Sequence, residues 1–138
     1  ARLRNFCAKT GQPAPEDTGA LLRCVFESLA LKYRVVIERI EAMLARRMEV
    51  IHIVGGGSQN RLLCQLTADA TGRPVVAGPV EATALGNVAV QAMALGQFAS
   101  LAEAREVVQN SFELITYEPY PSARWGEVYA QFTRLLPA

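Results

Sequence analysis

The stretch VIHIVGGGSQN, Val50 to Asn60, is an apolar run that breaks into three consecutive glycines followed by Ser, Gln and Asn. Its first half is short, β-branched and almost wholly apolar. That suits a strand covered on both faces, the usual condition in a parallel sheet. The glycines at 55–57 leave three side chains out in a row, so something passes close to the backbone there or the chain turns tightly. From Ser58 to Ala70 the apolar residues Leu62, Leu63, Leu66 and Ala70 share one helical stripe, and Gly72 with Pro74 ends the helix. PVVAG, residues 74–78, then reads as a second strand. The unit is strand, turn, helix, strand, which implies two parallel strands joined by a right-handed crossover.

Upstream, Pro13, Pro15, Asp17 and Thr18 end a leading loop, residues 1–15, and open a helix. Leu21, Leu22, Val25, Leu29, Val36, Ile40, Met43 and Leu44 recur at steps of three, four or seven, predicting a long amphipathic helix over about 18–47. Arg34, Glu38, Arg39 and Glu41 are expected on its solvated side. Downstream, residues 81–96 are alanine-rich and helical in period. Gly86 in their middle costs about 1 kcal/mol relative to Ala, which a helix tolerates where another backbone comes close. Ser100 with Glu103 forms a capping box opening a short helix to about Gln109. FELITYEPYP, residues 112–121, is extended, an edge strand or ordered loop. Trp125, Val128, Tyr129, Phe132, Leu135 and Leu136 give a C-terminal helix whose aromatic stripe is packing. The fold class is therefore α/β, a small mostly parallel sheet with flanking helices. Two strands make that sheet narrow.

The chain has 138 residues, enough for one domain with a core that buries roughly 65–70% of its unfolded surface. Hydrophobic residues make up 51% and charged residues 20%, and the net charge is +1 with the basic residues scattered. A nucleic-acid groove or an anionic membrane surface would ask for a basic stripe, so neither partner is indicated. No apolar run approaches the ~20 residues that span a bilayer, and ARLRNFCAKTG lacks the apolar segment of a signal peptide. Cys7, Cys24 and Cys64 are odd in number and far apart, with no C-x-x-C and no His pair. They read as reduced thiols in a cytoplasm, with no metal site. The one histidine, His52, reads as a strand residue with a local hydrogen bond.

A strand entering a glycine-rich turn and then a helix is how α/β proteins hold phosphates, through backbone N–H groups and the positive end of the helix. A P-loop requires Lys and Ser/Thr after its last glycine, and neither follows Gly57. A dinucleotide fingerprint requires a third glycine where Asn60 stands and an acid at the end of the next strand, where Gly78 and Pro79 stand. A tight turn without a ligand remains as the bland alternative.

The segment IHIVGGGSQNRLLCQLTADATGRPVVAGPVEATALGNVAVQAMALG resembles the C-terminal domain of the FGGY carbohydrate kinases, and the resemblance extends over roughly residues 16–136. In that family a strand ends in three glycines, a small residue, a variable one and a polar one. Here these are Gly55, Gly56, Gly57, Ser58, Gln59 and Asn60. The family's later acid and small-residue helix opening looks like Glu81-Ala82-Thr83-Ala84-Leu85-Gly86. The resemblance implies part of a ribonuclease H-like (actin-like ATPase) domain, residues 16–138. It implies transfer of a phosphoryl group from ATP, with Mg²⁺, to a ketose hydroxyl, L-rhamnulose being the first candidate. Gly55, Gly56, Gly57, Ser58 and Asn60 would border ATP or ADP, Gly56 and Gly57 passing under the nucleotide and Asn60 offering its amide.

The family's N-terminal domain, sugar site and catalytic Asp have no counterpart in these residues. The only aspartates, Asp17 and Asp69, stand in other contexts, and Glu81 reads as a helix N-terminal acid. No catalytic residue is therefore expected here. A chain of this kind would be inactive alone and would expose apolar faces that favour a homo-oligomer. The rival reading from another class is a non-catalytic α/β assembly module that binds no nucleotide.

Overall fold

The computed structural model describes residues 2–136. Six helices and three strands follow in the order α1 (Arg2–Lys9), α2 (Thr18–Leu44), β1 (Ile51–Ile53), α3 (Arg61–Thr71), β2 (Val75–Ala77), α4 (Ala82–Ala94), α5 (Leu101–Ser111), β3 (Ile115–Tyr117) and α6 (Arg124–Leu135). The fold is α/β, as expected. Residues 2–9 are helical where a loop was expected, with Cys7 of α1 buried and Arg4 Nη2 donating to Glu16 O at 2.9 Å.

β1 and β2 pair in parallel, Ile51 opposite Val75 and Ile53 opposite Ala77. β3 joins the far side of β2 antiparallel, Val75 opposite Tyr117, so the sheet is mixed. α3 covers one face: Cys64 and Ala68 pack on Val75 and Ala77, with Ile51, Ile53 and Tyr117 around them. The other face is open. His52, alternating with Ile51 and Ile53, is exposed there and makes no side-chain hydrogen bond among the described residues, so the expected two-sided cover and local bond are both missing.

α2 begins at Asp17, whose Oδ1 accepts from Ala20 N at 2.7 Å. It stops at Leu44 because Ala45 turns left-handed, at φ 49°. Its packed side differs from the expected one. Ala30 and Leu31 meet Leu66 and Ala70 of α3 and the aromatic stripe of α6, while Leu22, Val25, Leu29, Val36 and Ile40 stay exposed. The helix is apolar on two opposite sides, and periodicity picked the side with larger residues. α3 and α6 take the side with Ala30, where a small residue lets backbones approach.

The expected solvated residues are also reassigned, because three of them bridge elements. Arg34 pairs with Glu38 at 2.8 Å, donates to Ala70 O at 3.1 Å and lies 3.9 Å over the Tyr129 ring. Tyr129 donates its hydroxyl to Glu38. Burial and the Glu38 carboxylate push the Tyr129 hydroxyl up to about 12. Burial would raise the Glu38 carboxyl, but the hydrogen bonds from Arg34 and Tyr129 outweigh it and hold the group below its ordinary value. Glu41 accepts both from Met48 N at 2.7 Å and from Arg73 Nη2 at 2.7 Å, which lowers its carboxyl as well. Only Arg39 behaves as expected and stays exposed.

Candidate nucleotide site at the glycine turn

The first strand ends at Ile53 and the chain enters a tight 3₁₀ turn over Gly55–Gln59, where the sequence suggested the helix had already begun. The α-helix starts at Arg61, because Asn60 caps it: Asn60 Oδ1 accepts from Leu63 N at 3.0 Å. Such a cap contributes about 1 kcal/mol. α3 closes on Gly72, left-handed at φ 63°. The turn is fixed from several sides. Gly55 N donates to Pro79 O at 3.2 Å, Ser58 Oγ to Gly55 O at 2.6 Å, and Gly78 N to Ile53 O at 2.9 Å.

The three glycines differ in what holds them. Gly55 sits at φ +72°, a conformation that favours glycine. At Gly57 an added Cβ would lie 3.5 Å from Ile53 Cγ2, an ordinary contact. At Gly56 φ is not positive and nothing lies within 4 Å, so open space borders the bare backbone. The opening N–H groups of a helical turn have no intrahelical acceptor, which leaves donors available at this corner.

Beside the turn, at the C-terminal end of β2 and the N-terminal end of the antiparallel β3, lies a cavity of about 500 Å³. Ligands of open α/β sheets bind at such strand ends. Ser58, Gln59 and Arg61 form one wall, Ala77 to Glu81 the floor, and Phe112, Glu113 and Ile115 the opposite wall. The floor at Gly78 leaves little room for a side chain: φ is +110°, and a Cβ would meet Leu114 Cδ2 at 3.2 Å and Glu113 O at 3.3 Å. Of the expected site residues, Ser58 lines the cavity. Gly55, Gly56, Gly57 and Asn60 adjoin it, and the Asn60 amide oxygen is engaged in capping. Arg61, Phe112 and Glu113 went unnoticed. Arg61 had the detectable signal, a cation one residue after the motif; Phe112 and Glu113 reach the site only through the antiparallel pairing of β3.

Glu81 is the N-cap residue of α4, though its side chain makes no capping bond. Gly86 opens onto a second, apolar groove of about 620 Å³, lined by His52, Val54, Leu85, Met93 and Val108 among others. Apart from its chain neighbours and the adjacent backbone of α4, no atom of the described residues lies within 4 Å of a Cβ built at Gly86, so the expected close backbone from another element is not among them. Cys7, Cys24 and Cys64 are free thiols, and burial raises the Cys24 and Cys64 groups. Among the described residues no three His, Cys, Asp or Glu side chains gather as a metal site, and no helix is long and apolar enough to cross a membrane.

A small parallel-strand unit with a glycine turn at its strand ends and helices alongside defines part of an α/β domain of the actin-like ATPase class. A crystal structure of xylulose kinase from Rhodospirillum rubrum is similar, with a TM-score of 0.57 and 25% identity over 88% of this chain and 24% of that one. The FGGY family of carbohydrate kinases, C-terminal domain, matches residues 1–95, and the chain belongs to that family. Two curated relatives are rhamnulokinases: that of Bacteroides thetaiotaomicron is 50% identical over 94% of this chain, and that of Klebsiella pneumoniae (strain MGH 78578) is 45% identical over 96%. The chain spans 27% of the length of each.

Proposed function

We propose that these residues form the ATP-binding wall of a sugar kinase that phosphorylates a hydroxyl of L-rhamnulose or a related ketose. The observation that carries the reading is Gly56. Neither its conformation nor a neighbour in this chain calls for a glycine, and a nucleotide lying on the backbone does. Gly57 and Asn60 would complete that border, with the Asn60 amide nitrogen free of the capping bond its oxygen makes. The rhamnulokinase relatives support L-rhamnulose as the first candidate. Phosphoryl transfer rests on positioning and charge neutralisation, so a rigid backbone cradle contributes directly.

The general base would lie outside these residues. Asp17 is occupied in capping α2, and Asp69 accepts from Gln65 Nε2 and Tyr120 N, both at 2.9 Å. Mg²⁺ would travel with the nucleotide phosphates, since among the described residues no acidic cluster gathers to hold it. The sugar would be held by an N-terminal domain, with the apolar groove at Gly86 giving that domain a close approach. Three unpaired thiols suit a reducing, cytoplasmic setting.

Gly56→Val is expected to weaken ADP binding at least tenfold by isothermal titration while leaving the melting temperature within about 2 °C, because the added methyls enter open space. Unchanged affinity would sink the proposal. The open apolar side of α2 favours a second reading, an assembly module that self-associates without nucleotide; absence of ADP binding by the unmutated chain would leave that reading standing. A second expectation concerns turnover: the 138-residue chain mixed with ATP, Mg²⁺ and L-rhamnulose yields no sugar phosphate in a coupled ADP-release assay.

A further inference from the structure

We infer that two copies of this chain pair through the outer row of α2, antiparallel and about a two-fold axis beside Tyr33. The inference goes beyond the second reading above, because it names the partner and its register and does not require the glycine turn to be empty. The spacing of the row is self-complementary. Turned end for end about the point between residues 32 and 33, Leu22 falls opposite Met43, Val25 opposite Ile40 and Leu29 opposite Val36. All six are exposed, from 37% at Ile40 to 85% at Met43. A two-fold pair needs a patch that matches itself in this way. At 3.6 residues per turn these positions keep to one stripe over roughly 31 Å, so two helices at a small crossing angle stay in register along it.

The helix cannot turn to hide the row, because Ala30 and Leu31 on its inner side are held by Leu66 and Ala70. The exposed parts of the row and of Tyr33 amount to roughly 600 Å² per copy, so a pair reaches the lower limit of a stable complex. No carboxylate stands on the row, since Glu27, Glu38 and Glu41 of α2 pair with Arg23, Arg34 and Arg73 away from it. Lys32 and Arg39 flank it, exposed and without an ion pair among the described residues. Lys32 stands beside the axis, so pairing brings two ammonium groups together at the rim. Burial of the row outweighs their repulsion, and salt, by screening it, tightens the pair.

The test is sedimentation of the 138-residue chain over a concentration series up to millimolar, with the mass expected to rise from 15.0 kDa toward twice that value. Leu29→Glu sets a carboxylate inside the seam and is expected to raise the dissociation constant at least about tenfold, whereas Val88→Glu, at a 65% exposed valine of α4, leaves it unchanged. Raising NaCl from about 50 mM to about 500 mM is expected to lower the constant severalfold. Register is read by cross-linking in a Cys24→Ser background, Cys7 and Cys64 being buried. On mild oxidation Tyr33→Cys is expected to link to itself. Leu22→Cys is expected to link only when mixed with Met43→Cys. A chain that stays monomeric at millimolar concentration overturns the inference, and so does association that Leu29→Glu, with a native melting curve, does not weaken; the latter leaves the assembly reading standing. Weakening by salt indicates a surface meant for an acidic partner, and self-linking of Leu22→Cys indicates a parallel pair; either result also overturns it.

Discussion

Arg73→Ala lowers the unfolding free energy by about 3 kcal/mol, the order found when one partner of a buried, hydrogen-bonded ion pair is removed. Arg73 is 8% exposed and sits between α3 and β2. Its Nε donates to Met48 O at 2.8 Å, its Nη1 to Thr71 O at 2.8 Å, and its Nη2 to both carboxylate oxygens of Glu41. One guanidinium thus ties the end of α2, the segment entering β1 and the turn into β2. Alanine leaves two carbonyls and a carboxylate without these donors. A chain of this size should melt about 10 °C lower, read by circular dichroism and by urea titration. Arg73→Lys recovers little, because an ammonium cannot reproduce the planar fork.

The same cluster sets a pH dependence. The backbone N–H of Met48 and the Arg73 charge hold the Glu41 carboxyl below its ordinary value in the folded chain. The stabilisation is therefore fully present above the unfolded-state value and is lost as pH falls through the folded one. Urea midpoints measured from pH 7 downward should decline on the acid side, and Glu41→Gln should flatten part of that decline.

Leu66→Ala is the second large effect, about 3 kcal/mol, from lost burial plus the space left behind. Leu66 is 3% exposed and stands where three helices meet: α3 supplies it, α2 contributes Ala30 and Leu31, and α6 leans in with Trp125, Val128 and Phe132. Alanine at 66 would stand beside Ala30 and Ala70 and leave a space beneath the aromatic stripe of α6. α6 should loosen first. The emission of Trp125 is expected to shift red at denaturant concentrations where the far-ultraviolet signal is still native; coincident transitions would show that α6 unfolds with the rest.

Local signals carried the strand, glycine turn, helix and second strand, because each depends on residues close in sequence. Gly72 ended α3, and Ser100 with Glu103 opened α5, by the backbone bonds their residue types dictate. What escaped depended on partners far along the chain. Arg34, Glu38 and Glu41 look like a solvated stripe on a helical wheel, and only the arrival of Tyr129 and Arg73 makes them internal ties. The side of α2 that packs could not be chosen by counting apolar residues, since both sides have them. At the candidate site the glycines were legible as an unusual run, but which of the three the chain itself needs was not. The wall at Phe112 depends on β3 pairing antiparallel with β2, which a three-residue ITY segment does not announce.

α2 also makes two distant parts of the molecule answer to each other. Its inner side is the principal support of α3, and α3 begins at the asparagine that closes the glycine turn; its outer side is a row of leucine, valine and isoleucine facing water. Any body that shelters that row binds the folded form alone and so raises the population of an ordered α3 by mass action. A nucleotide that bound the same ordered form at the turn would, by reciprocity, tighten the grip of that shelter by the same factor.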